Sequence, residues 1–425
     1  MGSQQAAVML QAFAVAAFVL PTDTVIRVIG AQGYVASLIA MLLLAAWIVT
    51  AIFGYHDPLH TRYPIRGALA LMWICTLLSY AAMPFYVPDE SQRLGAGRWL
   101  MLWAGTSGVV LVAAEHLRSM RDVHRVVRVI VWGGAFSGFI AVFQFWLHWD
   151  LKPYLRQLLV GFERNGDYSG FQGRDALVRV TGMANHPIEF GVVAGMLLPL
   201  AIWLGLYGRQ RSALRRWLPL VLIGMCIPMS VSRSAILASV TSVGVLVVAL
   251  PVAERARVIL FTPVAVVGVF ASTPGYLRTM YGLFTAGSTD PSVANRLNNY
   301  PRVLAAVQAH PWLGAGGGTD IQTDLTKVLD NQYLKSAIEL GLVGVLALIL
   351  YLVVPMIAMV QVAVKARDPE FRALCAALAG AALAAAVASY TFDSFSFAQF
   401  ASVHALVVGL CGTCWLHAHR PPSSS

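Results

Sequence analysis

Residues 328–360 read "VLDNQYLKSAIELGLVGVLALILYLVVPMIAMV". The second half of this stretch is an apolar run of the length that crosses a bilayer, since about 20 residues of helix span ~30 Å of hydrocarbon. The first half carries Asp330, Asn331, Lys335 and Glu339. Such runs recur along the chain. Of its 425 residues 58% are hydrophobic and only 12% charged, against about 25% charged in an ordinary soluble domain. The chain therefore reads as an all-α polytopic membrane protein.

Twelve spans are expected, at 6–20, 34–53, 67–86, 99–115, 129–148, 187–207, 217–230, 234–252, 258–274, 333–361, 373–390 and 398–416. The seventh is short enough to be re-entrant or tilted. The first lacks a basic leader and reads as a retained span rather than a cleaved signal peptide. All twelve form one transmembrane domain over 1–425, with two long loops on one side, 149–186 and 275–332. Both exceed the usual helix-to-helix connection of about 2–8 residues, and long ordered loops on a rigid scaffold commonly carry function.

The formal charge of +10 reports sidedness. With the N-terminus inside, the inner loops hold 16 of the 30 Lys and Arg but six of the 20 acids, and the outer side holds 14 of each. The whole excess lies on short inner loops, as the positive-inside rule expects, and nucleic acid is not needed as a partner. Both termini are expected to be cytoplasmic.

The five cysteines fall inside expected spans. Cys411 and Cys414 have redox spacing but read as small buried residues. No group of His, Cys and acids has metal-ligand spacing, so neither metal nor cofactor is expected. The alanine-rich "AALAGAALAAAVA" of the eleventh span suggests close helix packing.

Several polar positions need explaining. In the second loop "SVANRLNNYPRVLAAVQAHPWLG" reads as a helix bearing Arg296 and Arg302, followed by the turn "GAGGGTD". The turn lacks the strand and helix that a dinucleotide-binding glycine loop requires, and reads as a flexible connection. In "MSVSRSAIL", Arg233 stands between two apolar helices. It is either a snorkelling interfacial arginine or an anion site, because a guanidinium fork binds phosphate oxygens in pairs. Arg179 approaches the membrane just before "NHPIEF", where His186 lies in the capping region of a helix. In the opening stretch Asp330 is a natural helix N-cap, and Lys335 and Glu339 have the four-residue spacing of an ion pair. Cap and pair would account for these residues, as would a catalytic role.

The order of these elements resembles the O-antigen polymerase and ligase superfamily, the Wzy/WaaL type of membrane glycan transferase. The resemblance rests on the "SRS" junction, the late outer loop, "NRLNNYPRVLAAVQAHPWLGAGGGT" and "DNQYLKSAIELGLVG". It implies a GT-C-like fold in a bacterial inner membrane, with the active site facing the periplasm. It also implies metal-independent transfer of a glycan from a polyprenyl (undecaprenyl) pyrophosphate to an acceptor hydroxyl. A donor and an acceptor lipid-linked glycan, membrane lipid and a chain-length regulator protein are the implied partners.

On this resemblance Arg233 and Arg296 hold the pyrophosphate, Arg179 or Arg302 assists, and Asp330 is the base, with Glu339 second. Asn331, Tyr333 and His186 are further site candidates. The chain reads Asp330-Asn331 where the ligase pattern reads His-Asn, which favours a polymerase over a ligase. A transporter is the reading from another class. It is disfavoured because the polar groups gather at helix entrances rather than at the midplane.

Overall fold

The computed structural model describes residues 1–58, 61–165, 171–174, 177–208, 212–260, 291–322, 324 and 327–420. Side chains at 174, 177 and 291–297 lie outside this description. Helices dominate: α1 (Ser3–Val19), α2 (Val35–Ile52), α3 (Pro64–Ala82), α4 (Glu90–His116), α5 (Met120–Leu147), α6 (Lys152–Leu158), α7 (Pro187–Tyr207), α8 (Ala213–Met229), α9 (Arg233–Ala249), α10 (Pro291–Ala309), α11 (Gln332–Lys365), α12 (Pro369–Ala388) and α13 (Ala398–Ala418). Among the described residues eight are long and apolar enough to cross a membrane: α2, α3 with its 3₁₀ extension to Tyr86, α4, α5, α7, α11, α12 and α13. The apolar helices α1 and α9 are shorter, at 17 residues each. The ninth expected span, 258–274, falls largely outside the described residues.

The first long loop carries α6 and two small antiparallel pairings. Strand β1 (Thr24–Val25) pairs with β2 (Glu163–Arg164), and β3 (Phe171–Arg174) with β4 (Leu177–Val180), with Gln172 opposite Arg179. In the second loop the expected helix is α10. Its Val303 packs with Leu329 and Ile338, so it lies across the entrance of α11.

The bundle closes through small residues. A Cβ added at Gly380 of α12 would lie 2.3 Å from the carbonyl oxygen of Ser242 in α9. The alanine-rich helix is thus in backbone contact with its neighbour, the packing mode that substitutes for hydrophobic drive inside a bilayer.

Polar ties separate into two ends. At one end the Ser3 hydroxyl donates to Asp122, Arg420 donates to the Arg118 carbonyl, and His124 pairs with Glu370 at 2.9 Å. Glu115 there accepts from Trp47 Nε1 at 2.7 Å and from the Tyr63 hydroxyl at 3.1 Å, with Arg66 at 3.5 Å. These segments carry the excess basic charge. At the other end Arg156 meets Asp23 at 2.9 Å, and the described parts of the two long loops gather.

The decisive local feature is in α11. Gly341 has φ 67° and ψ −173°, which breaks the helix into an entrance piece and a long apolar piece. This backbone region is essentially reserved for glycine. The freed groups find partners in the preceding turn. Leu342 N–H donates to the Pro311 carbonyl at 2.8 Å and Val343 N–H to Trp312, while Ala315 and Gly316 N–H donate to Ile338 and Glu339 at 3.0 and 2.9 Å. The Ser79 hydroxyl also donates to the Glu339 carbonyl. The glycine-rich turn, expected to be a flexible connection, is instead docked backbone to backbone on the kink. A Cβ at Gly341 would lie 2.3 Å from the Trp312 carbonyl carbon.

Gly341→Ala is therefore expected to destabilise the detergent-solubilised protein by at least the ~1–3 kcal/mol of a strained backbone. Gly224→Ala, in α8 with open space around it, serves as the control. Thermal unfolding of both variants checks this.

Candidate active site at the loop end of the bundle

Local chemistry sets the entrance of α11. Asn331 is its N-cap, with Oδ1 accepting from Tyr333 N–H at 3.0 Å and Leu334 N–H at 3.2 Å. The expectation that Asp330 caps the helix is corrected: the neighbouring Asx residue has the required extended backbone, φ −162° and ψ 111°. Asp330 stands one residue before the N-cap and is half-buried. The expected Lys335–Glu339 pair is also replaced. Lys335 Nζ reaches Asp393 Oδ2 at 3.4 Å and donates to Ser396 Oγ at 2.7 Å, on the connector between α12 and α13.

Gln332 fastens the same connector. Its N–H donates to the Ser389 carbonyl, and its Oε1 accepts from Phe395 N–H at 2.9 Å. The Tyr333 hydroxyl donates to the Ala386 carbonyl at 2.7 Å. Burial pushes the Asp393 carboxyl above the usual range, and the Lys335 charge opposes that shift.

Glu339 lies deeper and has no exposed surface. Its Oε1 accepts from the backbone N–H of Asp320 at 3.2 Å. Asp320 in turn takes the guanidinium of Arg302 at 2.9 Å, and Arg302 also donates to the Lys327 carbonyl. Arg302 and Glu339 thus hold the turn after α10 against the α11 kink.

The arginine side of the site is built from the first loop and the α8–α9 turn. Arg179, on β4, donates from Nε to the Ser230 carbonyl at 2.9 Å. In that turn Val231 adopts φ 45°, uncommon for any residue with a side chain and an outlier for a β-branched one. The kink aims the chain so that Arg233, half-buried, opens α9 at its N-terminus. Guanidinium and helix N–H groups are both anion ligands.

His186 caps α7, Nδ1 accepting from Ile188 N–H at 3.2 Å. Burial, then the charge of Arg179, pushes its pKa down to about 3, so the ring is neutral at ordinary pH and serves as a cap. Its ring lies 5.7 Å from Phe397, which lies 5.5 Å from Phe392, whose carbonyl faces Gln332 N–H. Through these contacts Arg179, the Arg233 turn, His186 and the Asp330–Asn331 entrance come to one end of the bundle. Arg296 lies in α10, and its side chain lies outside the described residues.

Three buried groups had no local signal. Glu189 accepts from Asn185 N–H at 2.9 Å through one oxygen, and from Gln399 and Phe400 N–H at 2.7 and 3.2 Å through the other. It thereby caps α13, which begins far away in sequence. Lys152 is buried, donating to Thr181 Oγ1 at 2.6 Å and to the Ala184 carbonyl. Its pKa is lowered by burial, with Asp150 opposing. Asp393 is the partner of Lys335. The end that bears the arginines is thus braced by polar groups that only the tertiary fold brings together.

Comparison with known proteins adds one finding. No curated protein matches the chain. Residues 218–349, less than half of the chain, match the family model Wzy_C, described as O-antigen ligase. That segment contains Arg233, Arg296, Arg302, Asp330 and Glu339, the α11 kink and the turn docked on it. The match supports the resemblance of this polytopic helical membrane protein to the O-antigen polymerase and ligase superfamily, over the segment that carries the α11 entrance and the Arg233 turn.

Proposed function

We propose that the protein is a polymerase of lipid-linked glycan repeat units. It transfers the growing glycan from a polyprenyl pyrophosphate to the hydroxyl of another lipid-linked unit, on the periplasmic side of a bacterial inner membrane. The observation that carries this reading is the entrance of α11. Asn331 rather than Asp330 takes the helix N–H groups, and Asp330 sits beyond the helix at the end that bears Arg179 and the Arg233 turn.

In this reading Arg233 and Arg296 clamp the pyrophosphate, with Arg179 holding the α8–α9 turn by its bond to Ser230. Asp330 takes the proton of the acceptor hydroxyl. The acceptor oxygen bonds to the anomeric carbon from the face opposite the leaving group. The bond from that carbon to the phosphate oxygen breaks, and its electron pair leaves with the polyprenyl pyrophosphate, with inversion. Fixed guanidinium groups stabilise the charge that develops on the leaving group and need no reorganisation to do so. Glu339 and Arg302 act as braces of the docked turn.

The second reading is a ligase that joins the finished glycan to lipid A-core or another acceptor, and the family description supports it. A null mutant distinguishes the two, since a polymerase mutant leaves single repeat units on the acceptor and a ligase mutant leaves none.

Asp330→Asn is expected to lower polymer formation by ~10²–10⁴, the usual contribution of a positioned base, with normal membrane levels. Asn331→Ala is expected to cost ~1 kcal/mol of stability as a lost cap and to keep most activity. The reverse pattern would assign the chemistry elsewhere. Arg233→Lys retains charge but loses the paired fork. It is expected to lower polymer yield by ~10²-fold or more, the scale of one lost transition-state donor, read on glycan gels against protein level.

A further inference from the structure

The end of the bundle opposite the candidate active site holds a cavity of about 500 Å³. It is framed by the end of α11, the connector 366–368, the start of α12, and the inner ends of α5, α7 and α13. One wall is apolar: Met120 and Phe371 form its accessible part, and Trp203, Val362 and Leu374 lie buried behind them. The rim carries Lys365, Arg367, His417 and His419.

The two acids in the lining are already engaged. Asp368 caps α12 by accepting from Phe371 N–H at 2.8 Å, and Glu370 meets His124 Nε2 at 2.9 Å. Arg372 donates twice to the Ala366 carbonyl, at 3.1 and 2.8 Å, and so fixes the connector. Lys365 and Arg367 are exposed and make no hydrogen bond or ion pair among the described residues. The cavity therefore offers two uncommitted cations over an apolar wall, at the ends of membrane-crossing helices.

We propose that this cavity binds the phosphate headgroup of an anionic phospholipid from the surrounding bilayer. The phosphate sits between Lys365 and Arg367, and the upper acyl chain lies along Met120 and Phe371. A small soluble phosphate would use the cations but leave the apolar wall uncovered. A zwitterionic lipid would use the wall but bring its own cation to the rim. Only an anionic lipid complements both surfaces, and the volume falls within the ~300–1,000 Å³ typical of small-molecule sites. Basic pockets between helix ends hold such headgroups for the same electrostatic reason.

The test uses the full chain in nanodiscs of mixed phosphatidylglycerol and phosphatidylcholine, with co-purifying lipid measured by native mass spectrometry. Phosphatidylglycerol is expected to be retained over phosphatidylcholine. The double variant Lys365→Ala, Arg367→Ala is expected to lose ~25-fold of that preference, about fivefold per basic group at an anionic surface. Equal retention of the two lipids, or a preference unchanged in the double variant, would overturn the proposal. So would tripolyphosphate displacing the lipid fully from the wild type, which would assign a soluble ligand instead. If the double variant is not recovered monodisperse, a photoreactive phosphatidylglycerol on the wild type decides. Adducts within 362–374 or 417–419 support the site, and adducts confined elsewhere refute it.

Discussion

A helix broken inside a packed bundle must have its freed backbone groups satisfied by protein, because buried groups without partners are costly. The rest of the site depends on how this chain meets that constraint at Gly341. The turn 311–316 lends two carbonyls and two N–H groups to the break, and Ser79 adds a hydroxyl. The short entrance piece of α11 is thereby held at an angle its own hydrogen bonds could not maintain. Asp330 and Asn331 ride on that piece. The position of the proposed base is thus set by a backbone junction about three helix turns away, together with the Arg302–Asp320–Glu339 chain that fastens the same turn.

The opposing arginines are held by different means. Arg179 comes from a hairpin in the first loop and grips the carbonyl of Ser230, while Val231 stores a left-handed backbone beside it. Strain of this kind persists only where surroundings over-determine it. Here Gly191 of α7 packs so closely on Ser230 that an added Cβ would lie 2.4 Å from its hydroxyl. The two halves of the site are joined by Lys335–Asp393, Gln332 and Glu189, which stitch α7, α11 and α13 into one end.

Long apolar runs made the helices legible, because a 20-residue run has few folded outcomes in a bilayer. The helix α10, the capping region at His186 and the close packing of the alanine-rich span were readable for similar local reasons. Asp330 and Asn331 are both good caps by residue type, and only the backbone angles assign the N-cap to Asn331. The four-residue spacing of Lys335 and Glu339 is visible in sequence, whereas the partner that Lys335 takes, Asp393, lies 58 residues away. Glu189, Lys152 and the docking of the glycine turn carried no local signal. Each is a polar group whose partner is chosen by how helices pack.

On the proposed reaction, one chain elongates a glycan from pyrophosphate-linked units. Purified protein incubated with lipid-linked repeat units, with no other enzyme present, tests it most directly. A ladder of products differing by one repeat is expected, with one polyprenyl pyrophosphate released per step. Release without lengthening, or movement of intact lipid-linked units across a vesicle membrane with no change in glycan length, would contradict it.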